Sequence, residues 1–421
     1  MTEAASNGAR PAAVAFILLA ILFDVIAFGI VIPVLPKLIE AFRHGDTGAA
    51  ATTYSVFATA WGLMQFVFSP LLGLVSDRFG RRPVLLLSLT GLGLDYILMA
   101  LSPNLAWLFV GRVISGITAA TYSTAAAYIA DVTPPAKRAA SFGYVGAAWG
   151  AGFIIGPAIG GLLGGIDLRL PFWVAAGLTL ANAAYGWFVV PESLPPERRS
   201  TSIRWARANP VGALALVKDN PGLAGLVSMQ VLYTLAHYSL PSVFVLYASY
   251  RYGWSLQQVG LTLALVGVCT AIVQAGLIGP AVRWLGERKA LLVGLLAATA
   301  AYAFYGLAPT GSWFLAAIPF GAVSGLYGAA AQSLMTERVG HDEQGQLQGV
   351  NSSLMGLTGL IGPLLFGLSF AAGIRHEAGG VAPLPGAAFL VAALLTTFSF
   401  VIALRAAYPK APATAPSTPI D

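Results

Sequence analysis

The 421-residue chain is short of charge: 10% of its residues are Asp, Glu, Lys or Arg, while 57% are hydrophobic. Soluble domains carry roughly 25% charged residues, so the deficit excludes the two or three water-soluble domains that length alone would allow. Cys269 is the only cysteine. An intramolecular disulfide is therefore impossible, and the thiol reads as a small apolar packing group. No GxxxxGK[ST] loop, no HExxH and no Cys/His cluster occurs, which removes the usual marks of ATP hydrolysis and metal chemistry. With no soluble domain to carry a nucleic-acid surface, the net charge of +6 needs another explanation.

What is present is apolar sequence in long runs. Twelve stretches reach the length of about 20 residues that crosses a bilayer: 12–36, 51–75, 83–101, 105–130, 139–164, 171–190, 222–248, 257–283, 288–308, 312–335, 346–371 and 385–407. The polar start MTEAASNGAR leads into a first stretch too long for a signal-peptide core, so no cleaved leader is expected. Of the 23 Lys and Arg, 17 fall on the side of the N-terminus, five fall opposite, and Arg112 lies inside a stretch. The positive-inside rule then places both termini in the cytoplasm. The excess of positive charge is a topology signal.

The chain repeats itself. GLVSDRFGRRPVLL begins at Gly73 and GPAVRWLGERKALL begins at Gly279, an offset of 206 residues. Gly156-Pro157 and Gly362-Pro363 share that offset. Two landmarks with one spacing indicate a duplicated six-helix unit. The units read as 1–190 and 222–421, joined by the Pro-rich, polar linker 191–221. Apolar residues 211–217 of the linker either face lipid or belong to a plain solvated tether. The tail after Tyr408, PKAPATAPSTPID, has the composition of a disordered segment.

Within LAILFDVIAFGIVIPVLP sits Asp24; LDYILMA carries Asp95 and GRVISG carries Arg112. A central Asp or Arg costs about 2.5 to 3.5 kcal/mol on insertion scales, so such residues face the bundle interior. Together they sum to −1, leaving one carboxylate without an equal partner. Burial favours the neutral form of a carboxyl group and a nearby guanidinium favours the charged form. A site holding both influences can gain and lose a proton as its access to water alternates. Asp24 accordingly reads as a proton site, a cation site, or each in turn. A fixed Asp24–Arg112 helix pair is the structural alternative. Gln65, Asn182, Gln230, Gln274, Gln332 and Asn351 supply neutral polar groups for a cavity, and Trp61, Tyr122, Trp149, Tyr233, Tyr238 and Tyr327 supply flat walls.

GLVSDRFGRRPVLL resembles the loop motif of the major facilitator superfamily, with Gly73, Asp77, Arg78, Gly80, Arg81 and Arg82 at the motif positions. GRVISGITAATYSTAAAYIAD resembles its fourth-helix motif, and GFIIGPAIGG, with Gly152, Gly156, Pro157, Gly160 and Gly161, resembles the fifth-helix motif of its antiporters. FDVIAFGIVIPVLP, LMQF, LDYILMA, VVPES, LGERKALL and EQGQLQG follow in the order seen in the tetracycline efflux pumps of Gram-negative bacteria. The resemblance implies an all-α membrane protein, twelve transmembrane helices in two pseudo-symmetric six-helix halves, exchanging protons for a drug and acting as a monomer in the inner membrane. It implies proton coupling through Asp24, Asp95 and Arg112. It also implies gating through the loop residues and Glu287, with Asp77 bonded to a neighbouring helix terminus and the arginines paired across the halves. No resident metal or cofactor is implied, although Mg²⁺ travels with the drug in that family. The chain departs from the pattern where the family carries an eighth-helix His, which is Thr270 here, and in VLYTLAHYSLPSVFVLY, which holds His237. Gln65, His237, Thr270 and Gln274 are the substrate candidates. The alternative is a proton-coupled exporter of a different drug or metabolite.

Overall fold

A computed structural model describes residues 4–119, 121–200, 216–217, 220–340, 343–375 and 383–406. Most of the expected linker and the tail after Ala406 lie outside these residues, as does the Tyr122 side chain. Among the described residues the regular structure is entirely helical. In hydrocarbon every backbone N–H and C=O has to be satisfied within the segment, and long apolar stretches meet that demand as helices.

The helices in chain order are α1 (Ala4–Val31, resuming as Leu35–Phe42), α2 (Thr47–Phe79), α3 (Arg81–Leu101), α4 (Leu105–Thr118 and Thr121–Val132), α5 (Pro135–Gly164) and α6 (Leu170–Val189). Then follow α7 (Pro221–His237 and Ser239–Tyr252) and α8 (Leu256–Ile272, continuing through a π turn, Val273–Leu277, into Ile278–Leu307). The part of that last helix after Gly286 is α9. The series ends with α10 (Gly311–Val323 and Leu326–Thr336), α11 (Gln344–Ile374) and α12 (Ala387–Ala406).

Among the described residues, ten helical segments are long and apolar enough to cross a membrane. One of them, Leu256–Leu307, has 52 residues, about 78 Å of helix at 1.5 Å per residue, and therefore spans two crossings. It bends at Gly286, whose φ of 74° and ψ of 160° are non-helical. Gly80, 206 residues earlier, turns α2 into α3 with φ 107° and ψ 158°. Positive φ is open to glycine at little cost. α4 is the other crossing outside the ten, because its two pieces are separately too short. The first span outruns its sequence boundary: Pro33 interrupts the helix, and Leu35–Phe42 carries it on. Proline has no N–H to bond one turn back, so the chain tightens into turns before resuming.

The packing separates the two ends of the bundle. One end holds the α2–α3 turn, the start of the linker and the end of α12; the other holds the α1–α2 and α7–α8 connections. At the far end a single apolar core draws on both groups of six helices, from Ala27, Leu38 and Phe172 to Tyr247, Phe314 and Phe389. At the linker end there are two separate cores. Ile17, Leu85, Ala125 and Val190 form one, and Leu223, Leu291, Leu334, Leu347 and Ala403 the other. Leu216 of the expected linker is 5% exposed in this second core. Leu216 packs against protein and not lipid, because it gains the same apolar burial within that core.

Among the described residues, close approaches join the groups from the middle of the helices toward the far end. On α2 and α11, Thr59 Oγ1 donates to the Leu360 carbonyl at 3.1 Å, and a Cβ on Gly62 would stand 3.2 Å from the Gly359 carbonyl. On α5 and α8, a Cβ on Gly161 would lie 2.9 Å from the Gly260 Cα. Nearer the linker end, Gly73, Gly143, Gly146, Gly150, Gly276 and Gly279 have no neighbour within 4 Å of a Cβ position. The bundle is closed at the far end and parted at the linker end.

The α5 glycines have two faces. Gly152, Gly156 and Gly160 meet α1: a Cβ on Gly156 would stand 2.7 Å from the Gly29 Cα, and one on Gly160 would strike the Ile30 carbonyl. Gly161 meets α8. Small residues allow this backbone approach, and helix association in lipid depends on it. Gly156→Ala is expected to destabilise the folded protein by about 1–3 kcal/mol through overpacking. Gly150→Ala on the open face is expected to be neutral or stabilising, since Ala is the better helix former. Thermal denaturation of the two variants in detergent checks the contrast, and equal midpoints would contradict it.

Candidate functional site

Three helices assemble the charged centre. Asp24 stands on α1, Asp95 on α3 and Arg112 on α4, all within Coulombic reach of Tyr96, which is 2% exposed. Asp95 is 1% exposed, and both its carboxylate oxygens are buried without a hydrogen-bond partner among the described residues. Its Oδ1 lies against α4, where a Cβ on Gly111 would approach to 2.9 Å. Asp24 Oδ1 and Arg112 Nε are likewise buried and unpartnered. None of the four ion pairs among the described residues involves Asp24, Asp95 or Arg112. The fixed Asp24–Arg112 pair is thus not formed in this state; Arg112 interacts with Asp95, Tyr54 and Tyr96 at longer range.

The helices hold these groups by contacts that the side chains themselves do not make. Asn182 of α6 donates to the Ala20 carbonyl, one turn before Asp24, at 2.8 Å. The α5 glycines press on Val25, Gly29 and Ile30. The 206-residue offset carries Asp24 to Gln230, and there the polarity is satisfied: Tyr327 donates its hydroxyl to Gln230 Oε1 at 2.6 Å. The two groups of helices are therefore unequal, with unpartnered charge in the first and a bonded neutral pair in the second.

The α2–α3 turn is a bonded assembly. Arg81 pairs with Asp77 at 2.6 Å and with Asp131, at the end of α4, at 3.1 Å. The Arg81 amide donates to Glu192 Oε1 at 2.9 Å, Arg199 reaches Glu192 at 3.8 Å, and the Ser200 amide donates to the Asp77 carbonyl at 2.9 Å. Arg82 donates to the Trp187 carbonyl and lies over its ring, while Arg78 lies over Phe79. Among the described residues, no hydrogen bond or ion pair links Asp77, Arg78, Arg81 or Arg82 to the last six helices, because the linker end is parted. The expected pairing across the halves is absent from this state. Glu287 accepts from Ser333 Oγ within the last six. Asp131, Glu192 and Arg199 were not singled out in the sequence. Their signal was an acid closing YIAD and another in VVPES, at the ends of apolar runs.

The substrate candidates do not share a hydrogen-bonded cluster. His237 is exposed just before the break in α7, with its ring 6.3 Å from that of Tyr233. Tyr233 stacks on Tyr327 at 3.8 Å and donates to the Ser324 carbonyl at 3.2 Å. Thr270 bonds back to the Val266 carbonyl at 2.8 Å. Gln274 is exposed within the π turn of α8, a distortion frequent at functional sites. Gln65 is half-buried on α2, four residues from Trp61. At the linker end, an open cavity of about 620 Å³ is lined by Gln332 and Ser333 of α10, by Glu337 just beyond it and by Gln344 of α11.

The model of the Major Facilitator Superfamily matches residues 17–363. The chain is 38% identical over 372 residues to the class C tetracycline resistance protein of Escherichia coli, covering 88% of this chain and 92% of that one. It is 36% identical over 360 residues to the class B protein of the same organism, covering 83% and 86%. The fold is similar to the crystal structure of the human organic anion transporter MFSD10 (TETRAN), with a TM-score of 0.68, 23% identity and coverage of 94% and 99%. With the match running through both groups of helices and through the loop, glycine and buried-charge motifs, the chain belongs to the Major Facilitator Superfamily.

Proposed function

We propose that this membrane protein exports tetracycline by proton-coupled antiport, with the drug carried as its complex with a divalent cation such as Mg²⁺. The observation that carries this reading is the charged centre. Asp95, Arg112 and the Asp24 Oδ1 atom are buried in a chain 34–38% identical to tetracycline resistance proteins over most of its length, and no ion pair closes among the three residues. Buried charges of this kind mark transport and proton pathways in membrane helices.

The basic-residue bias supports a cytoplasmic linker end and both termini in the cytoplasm. On that orientation, the parted end opens to the cytoplasm, and the chain stands ready to receive drug. The halves 1–190 and 222–421, joined by 191–221, rock against one another, closing the linker end and parting the far end, to expose the centre on the other side. A proton taken from outside by the carboxylates is then exchanged for one monocationic drug complex. That exchange moves no net charge and draws on the pH gradient rather than on voltage. Tyr233 and His237 supply flat surfaces for a polycyclic drug, and Gln65 and Gln274 supply neutral polar contacts. The protein acts as a monomer in the inner membrane.

The loop residues set the conformational balance. With the linker end open, Asp77 keeps its bond to Arg81. When that end closes, Asp77 and the arginines come within reach of the last six helices and latch the closed state.

Proteoliposomes with an imposed pH gradient test the activity. Tetracycline with Mg²⁺ is expected to accumulate uphill when the proton gradient is present, with little response to a voltage clamp. Uphill transport of other drugs but not tetracycline, or transport driven by voltage alone, would contradict the reading. Asp77→Asn is expected to insert normally and to lower the transport rate by roughly fivefold or more, as a shift between states worth about 1 kcal/mol does. A normal rate would leave the loop with topology as its only role.

A further inference from the structure

Arg112 and Asp95 pose a physical problem. They lie on neighbouring helices, in Coulombic reach, 8% and 1% exposed, with Arg112 Nε and both Asp95 oxygens unpartnered. A buried cation and a buried anion with free hydrogen-bonding capacity gain from meeting. They do not meet within 4 Å. Something else holds the guanidinium.

That something is the face of Trp61 on α2. The Arg112 guanidinium carbon stands 5.4 Å from the Trp61 ring centroid. A guanidinium within about 6 Å of an indole face is drawn to the ring quadrupole, most strongly when both are out of water. The indole is itself held. A Cβ on Gly116, one turn past Arg112, would stand 2.7 Å from the Trp61 carbonyl, so α2 and α4 are packed to backbone contact there. Phe28 also stacks on Trp61, at 5.8 Å and 25°, and Phe28 follows Asp24 by one helical turn. Phe28 in turn lies 6.4 Å from Phe153 on α5.

We propose that Trp61 is a positioning residue of the proton site: its indole face holds Arg112 away from Asp95 in this state, leaving the carboxylate free to take a proton. When the halves rearrange and the α2–α4 approach changes, Arg112 leaves the indole for the carboxylate and the proton is released. The proposal rests on the proton-coupling role of Asp95. The titratable groups that face Arg112 are Tyr54 on α2 and Asp95 and Tyr96 on α3, and Asp24 on α1 reaches it through Tyr96.

The test uses the full chain in proteoliposomes, with tetracycline and Mg²⁺ as probe. Fluorinated tryptophans placed at position 61 alone keep the shape of the ring and drain its face of negative potential, so folding is preserved. Trp61→Leu and Trp61→Phe accompany them. With the indole face weakened, Arg112 moves to Asp95 and a proton competes with it. The external pH for half-maximal uphill transport is expected to fall in graded steps with each fluorine, reaching about one unit for Trp61→Leu, as an adjacent opposite charge produces. Trp61→Phe is expected to lie between Leu and the parent. Counterflow exchange, which needs no net proton movement, is expected to stay within roughly twofold across the fluorinated series, which a merely structural role of Trp61 would not predict. An unchanged pH profile across the fluorinated series overturns the proposal, whether or not Trp61→Leu folds. Normal uphill transport by Asp95→Asn overturns instead the proton-coupling reading on which it rests, so the two failures are told apart.

Discussion

A charge in a membrane-spanning helix has to face protein, and much of the first six helices is arranged around that constraint. Three such charges lie on α1, α3 and α4, and each helix is rotated to bring its charge to the shared interior. The rotation is fixed by groups that carry no charge. Asn182 bonds the α1 backbone at Ala20, the α5 glycines accept α1 at Val25, Gly29 and Ile30, and Gly111 leaves room for the Asp95 carboxylate. The result is a centre in which Asp95 and Arg112 are close enough to feel one another and yet unpaired, with Asp24 in reach of the neighbouring Tyr96. A fully paired centre would be more stable and would have nothing left to exchange.

α5 links that centre to the moving parts. Its glycines touch α1 on one face and α8 on the other, so the helix that supports Asp24 also forms a contact between the halves. Contacts of this kind do not need side chains to interlock, and helices joined by glycine faces can slide and tilt. The shared core at the far end and the divided cores at the linker end follow from where these contacts lie. Closing the linker end and opening the far end would exchange one set of contacts for the other, with α5 and α2 turning against α8 and α11.

Much of this was legible in the residues. The apolar runs marked the helices, and the 206-residue offset foretold two glycine turns with nearly the same backbone geometry at Gly80 and Gly286. Asp24, Asp95 and Arg112 stood out because charge inside an apolar run is costly. Other features left no such trace. The absence of an Asp24–Arg112 pair depends on the rotation of α4 against α1 and α2, which no local pattern encodes. The bonding of Arg81 to Asp131 and Glu192 joins residues 50 and 111 apart in sequence. The cation–π contact of Trp61 reads in sequence as one aromatic among many. Pro33 was visible, but a proline does not say whether a helix ends or resumes beyond it. The state of the bundle, closed at one end and parted at the other, belongs to packing alone.

The central claim is that Asp24 is buried for proton exchange and not for structural support. Its most direct test is uphill, proton-driven tetracycline transport by purified Asp24→Asn protein of verified fold, measured beside counterflow exchange. Asn keeps the size and the hydrogen-bonding capacity of the side chain but cannot cycle a proton. The account predicts a folded, inserted protein that still exchanges drug across the membrane and no longer concentrates it. Undiminished uphill transport, or a collapse of stability with the loss of activity, would contradict it.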